Sequence, residues 1–297
     1  MNFKIIHNDP INREIKRIAI ELLDDSISRL GVVQTSFDVS IHETRKNFKK
    51  MRGLLRLVRN ELGEDIFKKE NILFRDTGRI LSPIRDAAVM VESLNLIKKN
   101  YSNEIKQNEY DLLKKNLSVR ARRVRSQFKK NKELIEAVIN ILENHKSDII
   151  KLPLRKKTFT QLIPSINLVY ERGLNAMQTA VRYPSASNFH EWRKRAKYLW
   201  YQTRILEDAW PEYMTLLAAK LSQLSDVLGL EHDLAELRNL LMKESTLCTN
   251  KEFQTKLFNY IGQERLKLQS DAKSLSPFIY SETPENFSGR LQAYWTQ

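Results

Sequence analysis

Residues 42–56 read HETRKNFKKMRGLLR, and residues 190–204 read HEWRKRAKYLWYQTR. Aligned without a gap, these two 15-residue stretches are identical at six positions, and all six hold a charged residue or histidine. Their apolar positions match only in character. The second stretch begins 148 residues after the first, which is half of the 297-residue chain. The sequence therefore predicts an internal duplication, with one basic helix in each half.

A second pair of similar segments follows the two basic stretches. LSPIRDAA (residues 81–88) lies over LGLEHDLA (residues 228–235), so each half places an aspartate, Asp86 or Asp233, just past a proline or glycine. The simplest architecture with this pattern is two similar antiparallel helical bundles. We expect the first bundle over residues 1–152 and the second over residues 153–297.

Helical periodicity extends along nearly the whole chain, and no alternation of period two persists long enough to indicate a sheet. Glycine and proline together number 16, which argues against a loop-rich β architecture. The sequence thus predicts an all-α fold. The expected helices cover about 10–30, 37–62, 66–99 with a break at Ser82-Pro83, 103–150, 159–181, 185–209, 213–243 and 251–273.

The charge balance restricts the partners. With 50 Lys or Arg against 36 Asp or Glu, the formal charge is +14, so nucleic acid, an anionic membrane face and an inorganic polyanion are all candidates. A single cysteine, Cys248, cannot form an intramolecular disulfide or a multi-cysteine metal site. No apolar stretch is long enough for a membrane span. We expect a cytoplasmic protein with no membrane partner.

The first basic stretch places its cations in a row. His42, Arg45, Lys49, Arg52 and Arg56 follow the 3,4,3,4 spacing of one helix face, and the row is about 21 Å long. Like charges at this spacing repel each other, and a face selected only for solubility would mix signs. The row therefore indicates an anion site, and its length suits an extended chain of phosphates better than one small phosphate.

The second row, within residues 190–204, has fewer cations and more aromatic residues than the first. A third basic block strengthens the prediction. Residues 114–132 contain nine Lys or Arg and no acid. If this block packs beside the first basic helix, the two form a positive groove, which Arg75 and Arg79 are candidates to join. The residues predicted to line the anion site are His42, Arg45, Lys46, Lys49, Lys50, Arg52, Arg56, Arg75, Arg79, Arg122, Arg125, Lys129, His190, Arg193, Lys194, Lys197, Tyr201 and Arg204.

Enzyme motifs are weak in this sequence. The His-Glu pairs lack the second histidine of a zinc-protease helix, because Lys46 and Lys194 occupy those places. There is no phosphate-binding glycine loop and no acidic cluster for Mg²⁺, so no catalysis, cofactor or metal is expected. The acidic residues Glu43, Asp86, Glu191 and Asp233 are expected to cap helices or to orient arginines.

Two other functions stay open. Tyr198, Trp200 and Tyr201 lie beside the second row and could stack bases, so a single-stranded RNA-binding protein is an alternative. A phosphohydrolase that acts on the same polymer is the other. Packing at a helix interface is the simpler role for the aromatic residues.

These motifs together resemble the CHAD family, the conserved-histidine α-helical domain. SNFHEWRKRAKYLWYQ (residues 187–202) resembles the second histidine helix of the family, and residues 42–56, 81–89 and 228–234 resemble its first histidine helix and the elements that follow. The resemblance implies two four-helix bundles related by a pseudo-twofold axis. It also implies a non-catalytic basic channel that binds inorganic polyphosphate, where phosphate or sulfate ions could also sit. Association with polyphosphate granules is a further expectation. Trp200 departs from the basic residue found in many members.

The two histidines have an expected pH dependence. Because cations surround His42 and His190, both should be mostly neutral in the empty site, and a bound polyanion should raise their pKa. Binding is therefore expected to tighten as the pH falls from about 7 to about 6.

Overall fold

The computed structural model describes residues 2–7, 9–33, 35–155 and 157–296. Over these ranges the chain folds into twelve α-helices joined by short turns and 3-10 segments, and it contains no strand. This confirms the predicted all-α fold. In the same ranges, none of the helices combines the length and the apolar character that crossing a membrane requires.

The first seven helices follow the predicted pattern, apart from a division of the predicted 37–62 helix at Val58 and one larger exception. The break at Ser82-Pro83 and the helix stops at Gly31 and Gly63 are confirmed. The helices are α1 (Ile11–Gly31), α2 (Phe37–Leu57), α3 (Arg59–Leu62), α4 (Glu64–Ile80), α5 (Ser82–Asn100), α6 (Gln107–Lys130) and α7 (Lys132–Ile150).

The exception is the predicted stretch 103–150, which is wrong as a single helix. It begins only at Gln107, and it is divided at Asn131 into α6 and α7. The Leu134 N–H donates to the Asn131 side-chain oxygen over 3.1 Å, so Asn131 caps the new helix and satisfies one of its free amide groups.

Five helices form the second part of the chain. The prediction omitted the last of them, whose first turn is capped by Thr283. The helices are α8 (Ile163–Arg182), α9 (Ala186–Ile205), α10 (Pro211–Lys243), α11 (Lys251–Leu275) and α12 (Pro284–Trp295).

Helix packing repeats between the two parts. In the first part α1 packs on α2 and α7, α2 packs on α4, and α5 packs on α6. In the second part α8 packs on α9 and α12, α9 packs on α10, and α10 packs on α11. Across the two parts α2 packs on α9, and α5 packs on α10. Each basic helix thus lies against the other.

The buried core does not follow the predicted boundary. A large apolar cluster includes residues of α1, α2, α4, α7, α8, α9 and α12. A second cluster is formed between α5, α6, α10 and α11, which come from both sides of residue 152. The division into 1–152 and 153–297, and the duplication itself, stay predictions.

Gly53 lies where α2 meets α9. A Cβ atom added at Gly53 would lie 2.9 Å from the Cβ of Tyr201, which is closer than packed carbon atoms allow. The Tyr201 side chain is only 2% exposed, and its ring meets that of Phe3 edge-on. The absence of a side chain at residue 53 therefore sets the close approach of the two basic helices.

Candidate functional site

Lys49 lies at the centre of the cations that α2 and α9 bring together. Its side chain reaches solvent, yet the surrounding protein together with Arg193, Arg45 and Lys197 lowers its pKa to about 7. Burial comes first among the causes, because removal from water disfavours the charged form.

The two equivalent arginines have different roles. Arg45 Nη1 donates to the carbonyl oxygen of Ser82 over 2.8 Å and lies 3.5 Å from the Asp86 carboxylate, so it ties α2 to the break between α4 and α5. In the other part α10 runs on without a break, and an atom added as Cβ at Gly229 would lie 3.6 Å from Arg193 Nε. No break there frees carbonyl groups for Arg193.

Arg193 is consequently available to a ligand. Its Nε is buried and has no hydrogen-bond partner among the described residues. The nearby acid Asp233 is half-buried, and removal from water raises its carboxyl pKa, while Arg193 and Arg85 oppose the rise. Asp86 and Asp233 therefore both lie near arginines, but only Asp86 is in an ion pair with one.

Further cations extend the group around Lys49. Burial lowers the pKa of Lys197 to about 8, and Arg193 and Lys46 contribute. Burial likewise lowers the pKa of Lys50 to about 8, with Arg204 as the next cause. We call this group the central basic cluster, and its members are Lys46, Lys49, Lys50, Arg193, Lys197 and Arg204.

Histidines border the central basic cluster. Burial and then Arg85 lower the pKa of His42, and burial and then Arg193 lower that of His190. These directions agree with the expectation that both histidines are neutral in the empty site. His190 Nδ1 lies 3.1 Å from His232 Nδ1, and burial, followed by His190, lowers the pKa of His232 to about 3.

His232 and Arg85 were not among the predicted site residues. The sequence could have indicated both, because Arg85 and His232 occupy equivalent positions in the second pair of similar segments, four residues after Leu81 and Leu228. Arg85 is held by Glu92 over 2.8 Å. Over the described residues, no group of three or more His, Cys, Asp or Glu side chains is placed to hold a metal ion.

The acids on the two basic helices pair with neighbouring cations. Glu43 lies 3.3 Å from Lys46 and 3.9 Å from His42. Glu191 forms a short ion pair with Lys194 and a second one of 2.6 Å with Arg195. Lys46 and Lys194 are thus each partly neutralised on their own helix.

The predicted row on α2 does not act as one unit. Arg52 Nε donates to the Asn71 side-chain oxygen over 3.0 Å, and Arg56 lies over the Tyr198 ring at 3.7 Å. The cations that act on Arg56 are Arg52, Arg195 and Arg59, and none of these acts on Lys49. A helical wheel cannot show this separation, because it depends on which side of α9 each residue meets.

The aromatic residues serve as supports for cations. Trp200 has Lys197 at 4.5 Å from its ring centre and Arg204 at 5.4 Å. Tyr201 was predicted to contact the ligand, but it is buried at the contact with Gly53. The simpler interface role therefore applies to Tyr201, and burial raises its hydroxyl pKa.

Within the described residues, the basic block of residues 114–132 contacts α2 at the first turn of that helix. Arg125 forms an ion pair of 2.8 Å with Asp38, Lys129 lies 5.2 Å from the ring centre of Phe37, and Arg122 is exposed. The predicted groove along the whole of α2 is therefore reduced to an extension at its first turn.

Arg75 and Arg79 do not join the central basic cluster. Both pair with Asp76, Arg75 over 2.8 Å and Arg79 over 3.1 Å. Among the described residues these are the ion pairs that the two arginines make, and each is on α4 itself. The prediction that they line the site has no support in their contacts.

The fold and the site define a class of protein, an all-helical domain in which two basic helices face each other. The family model of the CHAD domain matches residues 26–242, so the chain belongs to the CHAD family. Polyphosphate binding is a general property of this domain. A comparison with curated proteins found no match.

Proposed function

We propose that this protein binds inorganic polyphosphate along the groove lined by the central basic cluster. One observation carries the proposal. Lys49, Arg193 and Lys197 converge from α2 and α9, and none of the three has an ion pair among the described residues. Asp86 acts on Lys49 and Asp226 acts on Lys197, so their charges are compensated only in part. Cations held this close are costly without a further anion, and CHAD family membership makes polyphosphate the anion of first choice.

The chemistry of the cluster suits a linear polymer. The lysines act as point charges, and Arg193 offers a guanidinium fork for two phosphate oxygens. His42 and His190 border the groove and can donate to further oxygens when an N–H faces the chain. A series of weakly compensated cations along two helices favours consecutive phosphates over a single ion.

Binding without catalysis is the second part of the proposal. Among the acids near the cluster, Glu43 pairs with Lys46, and Asp86 and Asp233 lie beside arginines. Phosphoryl transfer instead uses carboxylates that hold Mg²⁺. A colorimetric assay for orthophosphate, run with polyphosphate and Mg²⁺ or Mn²⁺, is expected to detect no release. Release that depends on the protein would favour the phosphohydrolase alternative.

The RNA alternative is less well supported by the contacts. Stacking needs an open ring face, but Trp200 and Tyr198 have cations over their rings. We also propose the pseudo-twofold duplication that the family resemblance implies and, apart from that resemblance, a cytoplasmic location and association with polyphosphate granules. Fluorescence microscopy of a tagged chain against a polyphosphate stain checks the last two.

Calorimetric titration with long-chain polyphosphate at fixed salt tests the binding proposal. Arg193→Gln is expected to weaken the affinity by about tenfold or more, because a charged hydrogen bond is worth about 1.5–3 kcal/mol. Lys256→Gln is the matched control, since it also removes one cation but lies on α11 in an ion pair with Glu252. Equal affinity of Arg193→Gln and wild type would contradict the proposal.

A further inference from the structure

A second group of arginines lies on another part of the α2–α9 pair. Arg56 of α2, Arg59 of α3, Arg172 of α8 and Arg195 of α9 line one pocket, whose remaining wall includes Tyr198. Four chain segments thus direct guanidinium groups to one place. We call these four residues the arginine pocket.

The arginine pocket opens into a larger cleft. Arg172 and Arg195 also line this cleft, of about 250 Å³, together with the polar side chains of Asn175, Thr179 and Asn188 and the carboxylate of Glu191, which pairs with Arg195. A cleft of this size admits a small anion with its first waters. The space enclosed between the four arginines themselves is only about 10 Å³, which is room for about one water. A bound anion would therefore lie where Arg172 and Arg195 border the larger cleft.

The charges of the arginine pocket do not cancel. Arg59 pairs with Glu64 over 2.6 Å, and Arg195 pairs with Glu191 over 2.6 Å. Arg56 and Arg172 have no ion pair among the described residues. About two positive charges remain, so the pocket is matched to an anion of charge −2.

Ring contacts hold two of the guanidinium groups in place before any ligand binds. Arg56 lies 3.7 Å from the ring centre of Tyr198 and donates to the Arg52 carbonyl oxygen over 2.6 Å. Arg59 lies 4.6 Å from the ring centre of Phe67. A binding group that is already ordered loses less entropy when the ligand arrives.

The electrostatic environment agrees with this geometry. Burial lowers the pKa of Arg56 to about 10, and Arg52 and Arg195 contribute. Burial, Arg59 and Arg195 also lower the pKa of Arg172. Cations that destabilise one another in this way gain most from a bound anion.

The arginine pocket is separate from the central basic cluster. The cations that act on Lys49 are Arg193, Arg45 and Lys197, and none of them lines the pocket. The apolar side chains of Leu168 and Val169 form part of the pocket wall.

We propose that the arginine pocket binds a single phosphate group as its dianion. Guanidinium forks fit the oxygens of phosphate in pairs. A terminal or free phosphate carries between one and two negative charges near neutral pH and two once its last proton leaves, whereas an internal phosphate of a chain carries one. The source is orthophosphate, a phosphomonoester, or the end of a linear polyphosphate. The site does not depend on polymer binding, and only the chain-end source rests on the proposed function.

Phosphorus NMR titrations with three probes test this site. Orthophosphate and linear tripolyphosphate have terminal groups, whereas cyclic trimetaphosphate has only internal ones. Orthophosphate binding identifies a free phosphate as sufficient, and binding of tripolyphosphate alone identifies the chain end. The proposal would be overturned if Arg172→Gln weakened the binding of trimetaphosphate as much as that of orthophosphate or tripolyphosphate, or if neither orthophosphate nor tripolyphosphate bound.

Variants assign the bound phosphate to the pocket. Arg172→Gln is expected to lower the affinity for the linear probe by about tenfold, Arg172→Lys to retain part of it, and Arg182→Gln, also on α8 but outside the pocket, to match wild type. Lys49→Gln separates the two proposals, because it acts on the long-chain titration and not on orthophosphate. Wild-type phosphate affinity in folded Arg172→Gln would overturn the assignment.

Discussion

Replacing Lys49 with arginine keeps a positive charge at residue 49 but removes the gain and loss of a proton there. The pKa of Lys49 is lowered to about 7 in the empty groove, so at pH 7 about half of the molecules carry a neutral amine. A bound polyanion favours the ammonium form and raises this pKa. Binding at pH 7 must therefore take up about half a proton at this site.

The sign of the pH dependence follows from the same shift. Above pH 7 the free amine is neutral and binding must charge it, so affinity falls by up to about tenfold per pH unit as the pH rises. Lys50 and Lys197, each with a pKa of about 8, add to the fall at higher pH. The histidines extend the dependence below pH 6.5, since their pKa values are lowered from there.

Calorimetry in two buffers of different ionisation enthalpy measures this uptake. An arginine stays charged throughout the range, so Lys49→Arg is expected to bind polyphosphate while it takes up about half a proton less at pH 7. Lys256→Arg, on α11, controls for the substitution itself. Equal proton uptake by wild type and Lys49→Arg would refute the reasoning.

Two further predictions concern stability, measured by chemical denaturation. Gly53→Ala is expected to lower the free energy of unfolding by about 1–3 kcal/mol, because the new methyl group meets Tyr201. Gly262→Ala is the control, since no atom lies within 4 Å of the added carbon, and it should stabilise α11 by about 1 kcal/mol. Equal effects of the two substitutions would contradict the close helix contact. Glu70→Leu is expected to lower the free energy of unfolding by about 1–3 kcal/mol, because it removes the carboxylate 2.5 Å from the ring of buried His145. Glu70→Gln should lower it less. An unchanged denaturation midpoint in Glu70→Leu would contradict this expectation.

The sequence predicted the elements that depend on local pattern. Apolar periodicity located the helices, and the break at Ser82-Pro83 is confirmed, because proline acts on the chain beside it. The division at Asn131 has a local signal too, since asparagine is a favoured first cap. The long run of lysines and arginines around it hid that signal.

Placement of the site residues depended on contacts that a single sequence does not contain. Arg45 and Arg193 are equivalent in the repeat, yet only Arg45 has the free carbonyl groups of a helix break beside it. Arg172 lies outside every motif and joins the basic residues only through packing of α8. The spacing of Tyr201 on α9 predicts a ligand contact. Its buried position depends instead on Gly53, which has no side chain to keep the two helices apart.

Competition between long-chain polyphosphate and single-stranded RNA tests the central claim most directly. In a calorimetric displacement titration at moderate and at high salt, polyphosphate is expected to displace bound RNA at both, and the advantage should shrink in Arg193→Gln but not in Lys256→Gln. If RNA displaces polyphosphate from the wild-type protein, or if Arg193→Gln keeps the full advantage, the central basic cluster is not a polyphosphate site.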